Sequence, residues 1–326
     1  MSPRTRVRLL VGLAALAAAG IAVGATLIGR NDGQEQNSPV RRGPPALELG
    51  AVARSDAEAR ALRAAERAYD EGDRARARRQ FAAILARDPE SLEAAVGAAV
   101  AAWPDGTVAK LRALAERNPD SALVRLHLGL ALYAAGDDAL AESEWRQAER
   151  RDPDTPSALR AETLLHPNMA PGRPFFYPSF GVPPSVARLP AAEQLGALRR
   201  EAESGGLKAK LLYGVALQRL GRPVSARTAF RRALALDPDS LTAQVADAVG
   251  RFDKDDLAAA FSRLGPLARA HPDAAVVRFH LGLLLLWIRD VKDARAQLQG
   301  ALEADRHGFY GKEAKRLLSR LEAVRT

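Results

Sequence analysis

An acidic or polar residue followed by proline recurs along this 326-residue chain, at Asp88-Pro89, Asn118-Pro119, Asp152-Pro153, Asp237-Pro238 and His271-Pro272. Pro119 and Pro153 are 34 residues apart, as are Pro238 and Pro272, and Pro89 and Pro119 are 30 apart. Proline lacks the N–H a helix needs and its ring clashes with the turn before it, so each of these dipeptides ends a helix. Between them lie paired helix patterns. A unit of this size cannot bury its own apolar face, so a fixed period near 34 predicts copies that stack into a solenoid. Composition agrees, because Ala and Leu supply most of the 47% hydrophobic content while aromatics reach only 5%. Such a chain favours helix over sheet.

Within the periods, small and aromatic residues fall at fixed places. Counting from Ala122, Gly129, Ala141, Trp145 and Pro153 take positions eight, twenty, twenty-four and thirty-two. Counting from Leu207, Gly214, Ala226, Phe230 and Pro238 take the same positions, and from Glu58 so do Ala65, Ala77, Phe81 and Pro89. Small residues let two antiparallel helices approach, the aromatic fills the gap, and proline stops the second helix. This pattern resembles the tetratricopeptide repeat (TPR). Three other copies depart from it: residues 92–121, 241–274 and 275–306, the last with Leu298 at the aromatic position and Arg306 at the proline. The resemblance implies an all-α fold, a right-handed solenoid of helical hairpins.

The repeats themselves repeat. DPESLEAAVGAAV at 88–100 parallels DPDSLTAQVADAV at 237–249, and NPDSALVRLHLGLAL at 118–132 parallels HPDAAVVRFHLGLLL at 271–285. With the same offset of 153, Ala161, Leu164 and Leu165 align with Ala314, Leu317 and Leu318. Two three-repeat blocks with closing helices are therefore expected, at 58–165 and 207–326. Between them, residues 166–206 hold an insertion. Its first part, 166–190, contains seven Pro together with Phe175, Phe176, Tyr177 and Phe180, a density of proline that precludes helix. Residues 191–204 read as one further helix, ended by Gly205-Gly206.

The N-terminus carries an address. Leu9 to Gly29 form 21 residues without a charge, enough to cross a membrane, preceded by Arg4, Arg6 and Arg8. Residues 1–30 are expected to be a transmembrane anchor, with the basic end cytoplasmic and the rest of the chain extracytoplasmic. The alternative is a cleaved signal peptide, for which Val23-Gly24-Ala25 is a passable site, and a secreted product. Residues 31–57, polar and rich in Pro and Gly at the start, read as a flexible linker.

The net charge of +9 raises nucleic acid as a partner, but residues 1–45 and 306–326 contribute +4 each. A body near +1 offers no stripe to neutralise a phosphate backbone, so nucleic acid is not expected. The absence of cysteine excludes disulfides, thiolate nucleophiles and Cys-ligated zinc. Phosphate loops, G-x-S-x-G and H-E-x-x-H do not occur, so no catalytic residue, metal or cofactor is expected. His127 and His280 occupy equivalent places in the two blocks. Without a carboxylate or second His at ligand spacing, they read as copied packing residues rather than ligands.

What remains is a surface. In the family resembled, the first helix of each hairpin lines the concave side, and positions five, nine and twelve share one face. Here these give Leu62 and Tyr69, Trp103, Leu126 and Tyr133, Phe252, and Phe279 with Trp287 beside the last position. Glu66 is the one acid on the stripe, and the Lys/Asn/Arg set by which some members clamp a C-terminal carboxylate is missing. Three accommodations are open: these residues pack as core, they line an open groove, or the segment Phe175–Phe180 fills a groove from within the chain. The expected function is a membrane-anchored, non-catalytic scaffold binding a protein or peptide partner, with a carrier of lipid or another hydrophobic small molecule as the alternative.

Overall fold

The computed structural model describes residues 42–50 and 56–323. Among them are sixteen α-helices and no strand. Block 1 comprises α1 (Ala57–Asp70), α2 (Arg74–Leu85), α3 (Leu92–Ala101), α4 (Thr107–Arg117), α5 (Ala122–Ala135) and α6 (Asp138–Arg151), closed by α7 (Pro156–Leu165). A single turn α8 (Pro184–Ala187) and α9 (Ala191–Ser204) follow. Block 2 comprises α10 (Leu207–Arg219), α11 (Pro223–Leu236), α12 (Leu241–Gly250), α13 (Ala258–Ala270), α14 (Ala275–Trp287) and α15 (Val291–Ala304), closed by α16 (Phe309–Ala323).

The helix boundaries follow from local chemistry. Asp56, Asp73, Ser121, Thr155, Ser240 and Asp290 each accept a backbone N–H of the first turn they precede. Pro156 and Pro223 stand at the helix start, where the missing N–H is no loss. Gly136 takes the left-handed conformation that ends α5, at φ 95°. Within a hairpin the helices touch where small meets large. A Cβ on Gly129 would lie 2.4 Å from the Trp145 indole, and one on Gly214 would lie 2.3 Å from the Phe230 ring. Trp145 and Phe230 are buried in these notches, so the pairing holds two helices at close approach.

Within each block consecutive helices pack together, and the first helices of successive hairpins also touch: α1 on α3, α3 on α5, α5 on α7, then α10 on α12, α12 on α14 and α14 on α16. These first helices form the inner layer of each block. Block 1 has one core of its own, from Leu62 through Leu126 to Ala161. Block 2 has two, one on Phe230 and Phe252 and one on Phe279 and Leu298. Nearly all of that burial comes from Ala, Leu, Val and Phe, at about 1.5–3 kcal/mol for each large side chain fully removed from water.

Two expectations need correction. Residues 42–49 are not a spacer: Pro45, Leu47 and Leu49 are buried against block 1. Proline and glycine there keep the segment extended, and extended backbone can pair with other groups instead of with itself. The proline-rich stretch is likewise not free of helix, since Pro184 starts the turn α8 from the first position, where a missing N–H is no loss. The apolar run 9–29 lies outside the described residues, and no helix among those described is long and apolar enough to cross a membrane.

Candidate functional site

Each block carries an extended segment across its inner layer. Strap 1, residues 42–49, lies on block 1, and strap 2, residues 170–180, lies on block 2. The two are held in the same way. The Glu48 N–H donates to His127 Nε2 at 3.1 Å, and the Tyr177 N–H donates to His280 Nε2 at 2.9 Å. Each ring's Nδ1 lies against a carbonyl one turn back, Leu123 at 2.8 Å and Val276 at 2.7 Å. Since Nε2 accepts, the proton sits on Nδ1, and one neutral tautomer satisfies both bonds. Burial lowers the pKa of each imidazole to about 4, outweighing the carbonyl bond that raises it. Farther back, the Arg42 N–H donates to the Ala134 carbonyl at 3.0 Å and the Ala170 N–H to the Trp287 carbonyl at 2.8 Å. Ala134 and Trp287 are themselves related by the offset of 153.

The straps bury alternate residues, as an extended chain must. Pro45 and Leu47 face block 1 and Pro174 and Phe176 face block 2, while Ala46 is exposed. In strap 1 the Tyr69 hydroxyl donates to the Pro45 carbonyl at 2.6 Å, and the Leu49 N–H donates to Glu66 Oε1 at 3.0 Å. Burial raises the Glu66 pKa while that N–H opposes the rise. Arg42 lies 3.8 Å over the Tyr133 ring and pairs with Asp138, and Arg160 pairs with Glu48 at 2.8 Å. In strap 2, Phe176 stacks on His280 at 5.1 Å and meets Phe230 edge-on at 5.6 Å. Its N–H donates to Gln218, Trp287 Nε1 donates to the Gly172 carbonyl, and the Tyr310 hydroxyl donates to the Tyr177 carbonyl. Burial pushes the Tyr69 and Tyr310 phenols up to about 12, so both stay protonated donors.

The candidate residues thus fall into two groups. Leu62, Leu126 and Phe252 are fully buried core. Tyr69, Tyr133, Phe279 and Trp287 meet a strap, Phe279 through a 6.0 Å edge contact with Tyr177. Trp103 is half-buried and its carbonyl accepts from Arg74. Of the insertion residues, Phe176 is buried, Tyr177 and Phe180 are half-buried against the cores, and Phe175 is half-buried. Gln218 stood at position twelve of the stripe, while sequence reasoning missed Glu48, Pro45 and Leu47. The sign that could have found them is Gly43-Pro44-Pro45-Ala46-Leu47-Glu48 matched against Gly172-Arg173-Pro174-Phe175-Phe176-Tyr177, together with the paired histidines.

Strap 2 also joins the blocks. Arg173 grips Glu162 of α7 at 2.9 Å and donates to the Phe252 carbonyl at 3.0 Å. Asp154 accepts the Val224 and Ser225 N–H groups at the start of α11. Between the blocks lies a cleft of about 480 Å³ whose walls include Arg146, Glu149, Arg173, Arg251, Asp253 and Asp255. Burial, then Glu162, Asp255 and Asp253, raises the Glu149 pKa to about 7 against the pull of Arg173. These charged walls do not suit a lipid tail. Among the described residues no cluster of His, Asp or Glu could hold a metal ion.

The tetratricopeptide repeat family matches residues 62–110, 108–156 and 191–240. The fold is TPR-like. Two of the matched TPR stretches lie in block 1 and the third runs from α9 through α11. TPR repeats serve generally as scaffolds, commonly for protein partners, and no catalytic family matches. Similar solved structures include the human IFIT1 dimer with m7Gppp-AAAA, at 17% identity over 76% of this chain, TM-score 0.33. The chain spans 59% of that IFIT1 chain. The C-terminal part of a TPR repeat-containing protein from Cytophaga hutchinsonii is 16% identical over 78% of this chain and 98% of that one, TM-score 0.29. The APC/C hetero-tetramer Cut9–Hcn1 is 15% identical over 80% and 56%, TM-score 0.29. No curated protein matches the sequence.

Proposed function

We propose that this chain is a non-catalytic scaffold that binds a segment of a protein partner along an inner face, held at a membrane by residues 9–29 with its repeats on the extracytoplasmic side. The observation that supports the binding role is the paired strap: two inner faces, built alike, each hold an extended stretch of polypeptide through a buried histidine. A surface that grips main-chain N–H groups and alternate side chains has the features that peptide recognition uses. The candidate contact residues on this reading are those that meet the straps, Tyr69, Tyr133, Phe279 and Trp287. The anchor is supported by the length of the uncharged run and by the three arginines before it.

The test is affinity isolation of the full chain from detergent-solubilised membranes after brief cross-linking. A partner in stoichiometric amount is expected, and its absence would count against the scaffold. Alkaline washing of membranes should leave the chain in the pellet; release by the wash would remove the anchor. Protease added to intact cells or spheroplasts should reach the repeats, and full protection would place them on the other side.

A further inference from the structure

The straps match each other at part of their contacts, while the Arg42 and Ala170 amides that meet Ala134 and Trp287 stand one residue out of register. Pro45 and Pro174, Leu47 and Phe176, and Glu48 and Tyr177 stand in one register, and the last pair meets equivalent histidines. Two copies of one surface thus meet these three strap positions alike. The recognition is local: one proline, one buried apolar residue, and the next N–H placed on a histidine.

The two occupants differ in how firmly they are held. Strap 2 continues into α7 on one side and α8 on the other, and its Arg173 pairs with a Glu162 that is only 1% exposed. Strap 1 is described from residue 42 to residue 50. Two ion pairs of strap 1 among the described residues lie largely in water, Arg42–Asp138 at 41% and 53% exposure and Arg160–Glu48 at 36% and 42%. It offers Leu47 where strap 2 offers a phenylalanine stacked on the histidine. Exposed pairs of this kind hold weakly.

We propose that strap 1 is a replaceable occupant, and that the inner face of block 1 takes in its stead a partner peptide of the pattern Pro-x-apolar-acidic-apolar. The acidic position answers Arg160, which now pairs with Glu48. The apolar positions answer the sites of Leu47 and Leu49. The proposal rests on the scaffold reading and gives it a partner chemistry, with strap 1 as the built-in competitor.

The test uses the full chain in detergent and a fluorescein-labelled peptide of residues 42–50. Leu47→Asp in the chain should loosen strap 1, and this variant should bind the peptide at least tenfold more tightly than the unaltered chain, which meets it with a tethered rival. A peptide with Asp in place of its leucine at position 47 should not bind. Adding Arg160→Glu should weaken binding two- to fivefold, and a peptide with Arg at position 48 should restore it. Equal binding by the unaltered and Leu47→Asp chains, or equal binding of the Asp peptide, overturns the proposal. Should Leu47→Asp fail to fold, amide exchange in the unaltered chain decides. The Glu48 amide should exchange at least tenfold faster than the Tyr177 amide, and equally slow exchange of the two overturns the idea. Peptide binding with no partner in membranes sinks the scaffold alone; a partner held equally by the unaltered and Arg160→Glu chains sinks this inference alone.

Discussion

Block 1 and block 2 are the same machine closed by different latches. Their hairpins share the small-against-aromatic notch, their inner layers share the buried histidine, and the same backbone amide of the strap meets it. The difference lies in what surrounds that amide. Block 2 places stacked aromatic rings and a buried ion pair around its strap, while block 1 relies on two leucines, Pro45, a tyrosine hydroxyl, the Glu66 carboxylate, Arg42 over the Tyr133 ring, and ion pairs largely in water. A hairpin array can therefore be duplicated intact while the strength of its closure is set by a handful of residues outside the repeats.

The largest test of that contrast is truncation. Phe176→Ala removes a ring wedged between His280 and Phe230 and should cost about 3–5 kcal/mol in denaturant unfolding. Leu47→Ala should cost about 2–3 kcal/mol, the low end for a buried leucine. Equal losses would erase the asymmetry.

Acid should weaken both latches together. His127 and His280 are neutral in the fold with pKa values near 4, and once unfolded they titrate near 6.5. Between those values the unfolded chain binds more protons, so the stability they supply is whole above pH 6.5 and is lost as pH falls through 4. Each is worth about 3 kcal/mol. Melting curves from pH 7 to 4 should show the fall, and His127→Gln with His280→Gln should flatten it.

The hairpins, by contrast, should respond alike. Gly129→Ala and Gly214→Ala each push a methyl group into a ring, at similar depth in the two blocks. Each should cost about 1–3 kcal/mol, and a marked inequality would place the difference between blocks in the repeats and not in the straps. The smallest effect belongs to Asp138→Ala, which removes an exposed partner of Arg42. Global stability should change by about 0.2–1 kcal/mol, while Glu48 amide exchange quickens and Tyr177 exchange does not.

The hairpins were legible in the sequence because their rules are short-range. Gly129 and Trp145 are sixteen residues apart, and proline ends each unit at a fixed distance. The straps obey no period. Glu48 meets His127 and Arg160 across 79 and 112 residues, through one main-chain bond and one ion pair. Main-chain bonds leave no mark on composition, so strap 1 read as a spacer and its histidine as packing. Strap 2 was easier to suspect because its aromatics had to be buried somewhere. The stripe at Tyr69, Tyr133 and Phe279 follows from helical spacing, but spacing does not say what lies on top.

Docking of strap 1 also sets a length. Under the proposed anchor, residues 30–41 alone separate the bilayer from the point where Arg42 is fastened to α5. Twelve residues stretch to about 40 Å at most, so block 1 is kept within one domain's breadth of the lipid surface. Release of the strap adds residues 42–55, and the leash roughly doubles, to about 90 Å. The same few contacts that cover an inner face therefore decide how far from the membrane the repeats can fish.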